Sequence, residues 1–175
     1  MGAFTLKKAF PGVQLIATQR FTEGIKELCN TSYEHIWPGM FPVGHTDNEF
    51  SSFLHVPSVR LVVSGDIIYG DCHPHFGEAN TPAKRRERLD AIDRIEALNP
   101  HIVVAGHKRA TQADAPYLIQ STGDYIHTIE RELAQAASAE ALFDWMVALH
   151  PHIWNHFILD FGCQQSFAER QKERL

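Results

Sequence analysis

A three-residue pattern that occurs three times between residues 43 and 110 constrains the fold more than any other feature of the sequence. Each copy is a small or apolar residue, a glycine and a side chain that can bind a metal: Val43-Gly44-His45, Ser64-Gly65-Asp66 and Ala105-Gly106-His107. The last two copies follow β-branched runs that are typical of buried strands. A glycine at the end of a strand allows a sharp turn, after which the next side chain projects from the sheet edge. The pattern therefore predicts an α/β fold with two imidazoles and a carboxylate at one edge, a ligand set that suits zinc or iron.

The length, composition and charge of the chain indicate how many domains it forms and argue against one class of partner. The chain has 175 residues, of which 44% are hydrophobic and 21% are charged. We expect residues 1–175 to form a single domain with its own core. A net charge of -5 argues against nucleic-acid binding. Acidic residues closely follow the basic run Lys84-Arg85-Arg86, so we expect this run to be a solvated helix face. No apolar segment has membrane-spanning length, and the first residues lack the apolar stretch of a signal peptide.

The cysteines indicate the redox compartment. Cys29, Cys72 and Cys163 are odd in number, far apart and without a C-x-x-C pair. This usage favours a reducing environment over a disulfide framework. We expect a cytoplasmic protein with the cysteines filling apolar positions, although a reactive role stays open for Cys72.

The periodicity of apolar residues predicts strands followed by a helical C-terminal region. Strands are expected over residues 13–18, 49–56, 59–63 and 101–105, and helices over residues 3–10, 21–29 and 81–98 and after Asp114, Ser138 and Pro151. Thr81 and Pro82 are expected to start the central helix as its N-cap and first-turn proline. The strands on either side of this helix imply a crossover connection if they share a sheet.

Residues 43–110 resemble the metallo-β-lactamase superfamily. The similarity rests on four segments that occur in the family's order at strand ends: Gly44-His45-Thr46-Asp47, Leu54-His55-Val56-Pro57-Ser58, Leu61-Val62-Val63-Ser64-Gly65-Asp66 and Val103-Val104-Ala105-Gly106-His107. The resemblance implies an αββα sandwich, here a partial one, with a site at its edge that usually holds two zinc ions and sometimes iron. In that site His45 would bind the first metal, Asp66 would bridge both metals and His107 would be the last ligand of the second.

The activity that the resemblance implies is metal-dependent hydrolysis of a small molecule. The bond would be an ester, thioester, lactone or amide, and the cofactor would be one or two zinc ions, with iron as an alternative. A metal supports this chemistry because it lowers the pKa of bound water and polarises the substrate carbonyl. No catalytic side chain beyond the metal ligands is predicted.

The sequence departs from the family at the first metal-binding signature, H-x-H-x-D-H, which supplies two ligands to each metal. Two H-x-H pairs occur, His73-Pro74-His75 and His150-Pro151-His152, but neither is followed by the required Asp and His, and both come after His45. Residues 4–12 resemble the helix that follows this signature in the family. We therefore expect a domain truncated at its N-terminus, with weak or absent hydrolytic activity.

Two other interpretations stay open. The chain could be a non-catalytic binding or regulatory protein on the same fold, with or without a metal, that self-associates through an exposed strand edge or apolar face. It could also be an incomplete gene model of an active hydrolase. Sequence upstream of Met1 that encodes the missing signature would distinguish this last case.

The remaining histidines are weaker candidates for site residues than His45 and His107. His73 and His75 follow the strand that carries Asp66, and two interpretations stay open for them. They either contact substrate or replace a metal ligand, or they are exposed in a loop. His152 and His156 are spaced i, i+4 and are expected to be a surface pair. His55 is expected to be structural, and Asp47 is expected to orient His45 or its loop.

Overall fold

In the computed structural model, residues 51–172 are described in full and residues 14–16 through their backbone alone. The predicted helices over residues 3–10 and 21–29, and with them Cys29, His45 and Asp47, lie outside these residues. The described residues form strands β1 (Gln14–Ile16), β2 (Phe53–Val56), β3 (Leu61–Val63) and β4 (Ile102–Val104), and helices α1 (Pro82–Ala97), α2 (Tyr117–Gln135), α3 (Ala139–Leu149) and α4 (His156–Lys172). The chain is thus a mixed α/β protein.

The four strands form one sheet in the order β1-β2-β3-β4. The first two pairings are antiparallel, whereas β3 and β4 are parallel with Val62 opposite Val103. Parallel neighbours need a crossover connection, and α1 lies between these two strands in the sequence. The predicted strand–helix–strand unit is confirmed. The second sheet of an αββα sandwich is not seen in the described residues, and the sandwich stays a prediction.

The predicted helix starts are confirmed where they rest on capping residues. The Thr81 hydroxyl accepts a hydrogen bond from Lys84 N at 3.2 Å, and Pro82 is the first residue of α1. The Ser138 hydroxyl accepts from Ala141 N at 3.0 Å at the start of α3. Each bond satisfies a backbone donor that has no partner within the helix.

The prediction of a helix that opens at Pro151 is wrong, because α4 begins only at His156. The segment before α4 pairs instead with the loop that follows β3. Trp154 N donates to Asp71 O at 3.0 Å, and His73 N donates to Trp154 O at 2.9 Å. His152 therefore lies outside the helix that His156 begins, and the two are not an i, i+4 helical pair.

The prediction of a solvated Lys84-Arg85-Arg86 face is wrong for Arg85. Its side chain is 3% exposed and pairs with Glu130 of α2, with Nε and Oε1 3.2 Å apart. Arg86 is 72% exposed, as expected. The difference arises because α2 packs against the side of α1 that carries Arg85 and covers it.

One apolar cluster holds the sheet and the helices together. It contains residues of β3, β4 and all four helices: Val62, Val103, Ile92, Ile95, Ile126, Ile129, Leu142, Met146 and Leu159. The predicted inward residues of the long helix, Ile126, Ile129 and Leu133, are all buried. Among the helices of residues 51–172, none combines the length and the apolar character needed to span a membrane.

Candidate functional site

The ends of β3 and β4 lie side by side, and the backbone that follows each strand is tied to the other. Ser64 N donates to Val104 O at 2.9 Å, and Gly106 N lies 3.0 Å from Gly65 O and 3.1 Å from Ile68 O. Further along, Gly70 N donates to His107 O at 2.8 Å. These bonds place the residue after each glycine, Asp66 and His107, at one edge of the sheet.

Two of the three predicted glycines are required by this geometry. A Cβ on Gly106 would lie 2.5 Å from Gly65 O and 2.7 Å from Asp66 Oδ1, closer than atoms that are not bonded approach. Gly65 has a φ of 53°, in the left-handed region that residues with a side chain rarely adopt. The third glycine, Gly44, lies outside the described residues.

Asp66 and His107 are in direct contact. Asp66 Oδ1 lies 3.1 Å from His107 Nε2, and the two side chains are 40% and 51% exposed. The Tyr69 ring stacks on the His107 ring with centroids 5.1 Å apart and an angle of 27°. The imidazole is therefore held between a carboxylate and an aromatic ring, with about half of its surface open to solvent.

Arg88 is fully buried and makes hydrogen bonds to backbone carbonyls at this edge of the sheet. Arg88 Nη2 donates to Asp66 O at 3.0 Å, and Nη1 donates to His75 O at 2.9 Å. The guanidinium also lies 5.2 Å from the Tyr69 ring centroid, within the range of a cation–π contact. Arg88 thus connects α1 to the two segments that carry Asp66 and His75.

Arg88 is not among the site residues predicted from the sequence. A signal was present, because Arg88 lies four residues before Ile92 and seven before Ile95, on the apolar stripe of α1. An arginine on the buried stripe of a helix indicates a charge that the fold must satisfy with specific partners.

His73 is not exposed in a loop, and that interpretation is wrong for it. The residue is 0% exposed, and its Nδ1 lies 2.6 Å from the Tyr125 hydroxyl. Burial, with smaller contributions from the neighbouring charges of His156 and His150, lowers the pKa of His73 to about 4. The physical reason for the burial is that the loop after β3 is covered by α2 and by the segment before α4.

His75 is half-buried, and its ring stacks on Phe161 of α4 with centroids 5.6 Å apart. His73 and His75 both line one cleft of about 240 Å³ that also reaches His107. The other lining residues among those that the structure describes are Tyr69, Asn155 and Ile158. The cleft therefore joins the Asp66–His107 edge to His73 and His75. Their predicted role in a substrate pocket stays a prediction.

The Asp66–His107 pair fits part of a zinc site but does not complete one. Two ligand atoms that bind one tetrahedral zinc at about 2.0–2.2 Å are about 3.3–3.5 Å apart, close to the 3.1 Å seen here. Across residues 51–172, however, no group of three or more His, Cys, Asp or Glu side chains is arranged to hold an ion. The third predicted ligand, His45, lies outside the described residues.

Comparison with known proteins shows similarity at the level of the fold. No protein-family model matches the sequence, and no curated protein matches it. Among solved structures, the chain is similar to a metallo-β-lactamase family protein from Thermus thermophilus, with 18% sequence identity and a TM-score of 0.51. The match covers 76% of this chain and 43% of that protein, so the chain spans less than half of that protein's length. This likeness shows a mixed α/β fold that resembles the metallo-β-lactamase fold, and the sandwich itself stays a prediction.

Proposed function

We propose that this chain carries the later half of the metal-binding edge of a metallo-β-lactamase-like hydrolase. The substrate would be a small molecule with an ester, thioester, lactone or amide bond. The observation that carries the proposal is the 3.1 Å contact between Asp66 Oδ1 and His107 Nε2 at the ends of two neighbouring strands. The similarity of fold to a metallo-β-lactamase family protein supports it.

In this proposal Asp66 and His107, together with His45, would hold zinc, with iron as the alternative. Bound there, the metal would supply Lewis acidity toward a substrate carbonyl. Arg88 holds the Asp66 backbone in place, and the Tyr69 ring fixes the plane of the His107 imidazole. The cleft beside His107 offers room for the substrate.

We propose that hydrolysis by this chain is weak or absent. A catalytic zinc site uses three protein ligands and one open position, and the H-x-H-x-D-H signature that would supply the others does not occur in the sequence. His45, Asp66 and His107 are divided between two metals in the family pattern, so neither metal would have a full set of ligands.

Zinc calorimetry tests the proposal. The metal-free wild type is titrated with zinc chloride and compared with Asp66→Asn and His107→Ala. His127→Ala is the matched control, because His127 is a histidine on α2 whose side chain is 60% exposed. We expect zinc binding to weaken at least tenfold in both site variants and to stay unchanged in the control. Equal binding by all four proteins would refute the metal edge.

A hydrolysis assay tests the activity separately. p-Nitrophenyl acetate is offered to the zinc-loaded wild type and to His107→Ala, with the rate of ester cleavage as the measurement. We expect a rate close to that of free zinc. Fast turnover that His107→Ala abolishes would contradict the proposal of weak activity while supporting the metal edge.

A non-catalytic protein that self-associates is the second candidate, and one observation favours it. Large apolar side chains on α3 and α4 are exposed: Trp145 by 53%, Phe157 by 77% and Phe161 by 40%. Exposed aromatic surface of this kind is typical of binding faces. Sedimentation of the wild type against Phe157→Ser measures this; a wild type that stays monomeric at high concentration would contradict self-association.

A further inference from the structure

His73 carries a buried nitrogen that has no hydrogen-bond partner among residues 51–172. The residue is fully buried, its Nδ1 is bonded to Tyr125, and within residues 51–172 its Nε2 has no hydrogen-bond partner. A buried polar atom without a partner costs about 1–3 kcal/mol. Such an atom beside a cleft indicates that something in the cleft completes its hydrogen bonding.

The Tyr125 contact fixes which His73 nitrogen carries the proton. Burial strongly raises the pKa of Tyr125, so the phenol stays protonated, and within residues 51–172 His73 is the acceptor within reach. The 2.6 Å separation falls in the range of O–H donors and is shorter than the usual N–H···O distance of about 2.7–3.2 Å. We assign the hydroxyl as the donor to Nδ1, which places the proton of the neutral imidazole on Nε2.

His73 forms part of the wall of a cleft, although almost none of its surface is exposed to solvent. His73 lines the cleft that reaches His107, whereas Tyr125, its partner at Nδ1, does not line that cleft. The His73 and His156 rings have centroids 5.4 Å apart but no hydrogen bond. His73 thus lies in the wall of a cleft of about 240 Å³, and its buried Nε2 is the ring nitrogen without a partner among residues 51–172.

The charges around the cleft decide which acceptor fits. Among the residues that the structure describes, no lysine, arginine or carboxylate lines the cleft: the lining residues are Tyr69, His73, His75, His107, Asn155 and Ile158. His73 is neutral at pH 7, because its pKa is lowered to about 4, and Asp66 lies beside the cleft mouth at His107. A carboxylate or phosphate would lose its hydration without gaining an ion pair. A neutral oxygen acceptor avoids this cost.

We propose that this cleft binds the acyl part of a neutral carbonyl compound, and that His73 donates its Nε2–H to the carbonyl oxygen. Tyr125 is the positioning residue, since its hydroxyl holds the donor tautomer of His73. The stacked rings of Tyr69 and His107 and the Ile158 side chain supply the apolar wall. The inference that the carbonyl belongs to a hydrolysable bond rests on the proposed function.

Nuclear magnetic resonance of the metal-free protein labelled with ¹⁵N-histidine tests the proposal. The probe is γ-butyrolactone, with sodium acetate as the charged comparison. We expect the His73 spectrum to show the proton on Nε2. The lactone should shift the His73 Nε2 signal in the millimolar range expected for so small a ligand, acetate should shift it less, and the exposed His127 should not shift with either.

Tyr125→Phe is the informative variant. We expect the proton to move between the two nitrogens of His73 and the lactone affinity to fall at least fivefold. If that variant does not fold, the ¹⁵N spectrum of His73 in the wild type still tests the proposal. A proton on Nδ1 in the wild type, a larger shift with acetate, or no shift with lactone would each overturn the inference. Because no metal is present in this experiment, its outcome does not bear on the proposed zinc binding by Asp66 and His107. In the same way, a failure to detect zinc binding by calorimetry does not bear on ligand binding in the cleft.

Discussion

Gly106 N donates to Gly65 O across 3.0 Å, and this bond joins the turns that carry His107 and Asp66. The two turns touch through backbone atoms, so no side chain separates the metal-capable residues from each other. The contact requires glycine at position 106, because a Cβ there would lie 2.5 Å from Gly65 O, while Gly65 is needed for its φ of 53°. The glycines of the repeated pattern therefore bring two sheet ends into contact as well as allowing each chain to turn.

Gly106→Ala is expected to separate these turns. The new methyl group would meet Gly65 O at 2.5 Å, so the backbone must move, and overpacking of this kind costs about 1–3 kcal/mol. Urea unfolding measures the free energy of unfolding, and calorimetry measures the accompanying loss of zinc binding.

Gly123→Ala is the matched control for this prediction. A Cβ at Gly123, in the middle of α2, meets nothing within 4 Å, and alanine is favoured over glycine in a helix by about 0.5–1 kcal/mol. The control should be as stable as the wild type or more stable. If both substitutions had the same effect, the close approach at Gly106 would not be the cause.

Arg88→Leu is expected to weaken the whole site edge. The substitution removes the donors to the Asp66 and His75 carbonyls, and leaving buried acceptors without partners costs about 2–4 kcal/mol in total. Arg86→Leu makes the same chemical change at a position that is 72% exposed and should alter stability by about 0.5 kcal/mol or less. Chemical denaturation of both variants measures the contrast; equal losses would contradict a supporting role for Arg88.

His73 is expected to make stability fall in mild acid. Its folded-state pKa is about 4, below the usual 6.5, chiefly because of burial. The unfolded chain therefore takes up a proton first as the pH falls below about 6.5, and the native state loses up to about 3 kcal/mol by pH 4. Burial also lowers the pKa of His55 and His150, which adds to the slope in the same direction.

His73→Phe isolates this contribution. The variant loses an acceptor for Tyr125 and should be less stable at pH 7, but its free energy of unfolding should change less between pH 7 and pH 4. Denaturant titrations at several pH values compare its slope with that of the wild type and of the exposed-site variant His127→Phe. Identical slopes for His73→Phe and wild type would contradict the prediction.

Cys163 is expected to be unreactive in the native protein. The residue is 1% exposed, and burial, with a smaller contribution from the charge of Asp160, raises its pKa to about 12. The thiolate is the reactive species, so iodoacetamide at pH 8 should leave Cys163 unmodified in buffer and modify it in urea. Peptide mass spectrometry reports the labelling; rapid modification in buffer would show that α4 opens readily.

The Asp66–His107 edge could be predicted from sequence because its signals are local. Each residue follows a glycine that ends a β-branched run, and the periodicity of such a run and the turn that follows it depend on neighbours in the chain. The helix starts at Thr81 and Ser138 were predictable for the same reason. The absence of the H-x-H-x-D-H signature is likewise visible in the sequence, whereas metal binding by this edge stays a prediction.

The sequence by itself determined the strands, the helix caps and the two residues that project from the sheet edge. Only the tertiary structure decided the roles of His73 and Arg88. Tyr125 lies 52 positions from His73 in the chain, and Arg88 binds the carbonyl of Asp66, 22 positions away. A histidine between Cys72 and Pro74 has no local signal for burial. Its environment is set by distant segments that fold over it, and their arrangement follows from packing of the whole core.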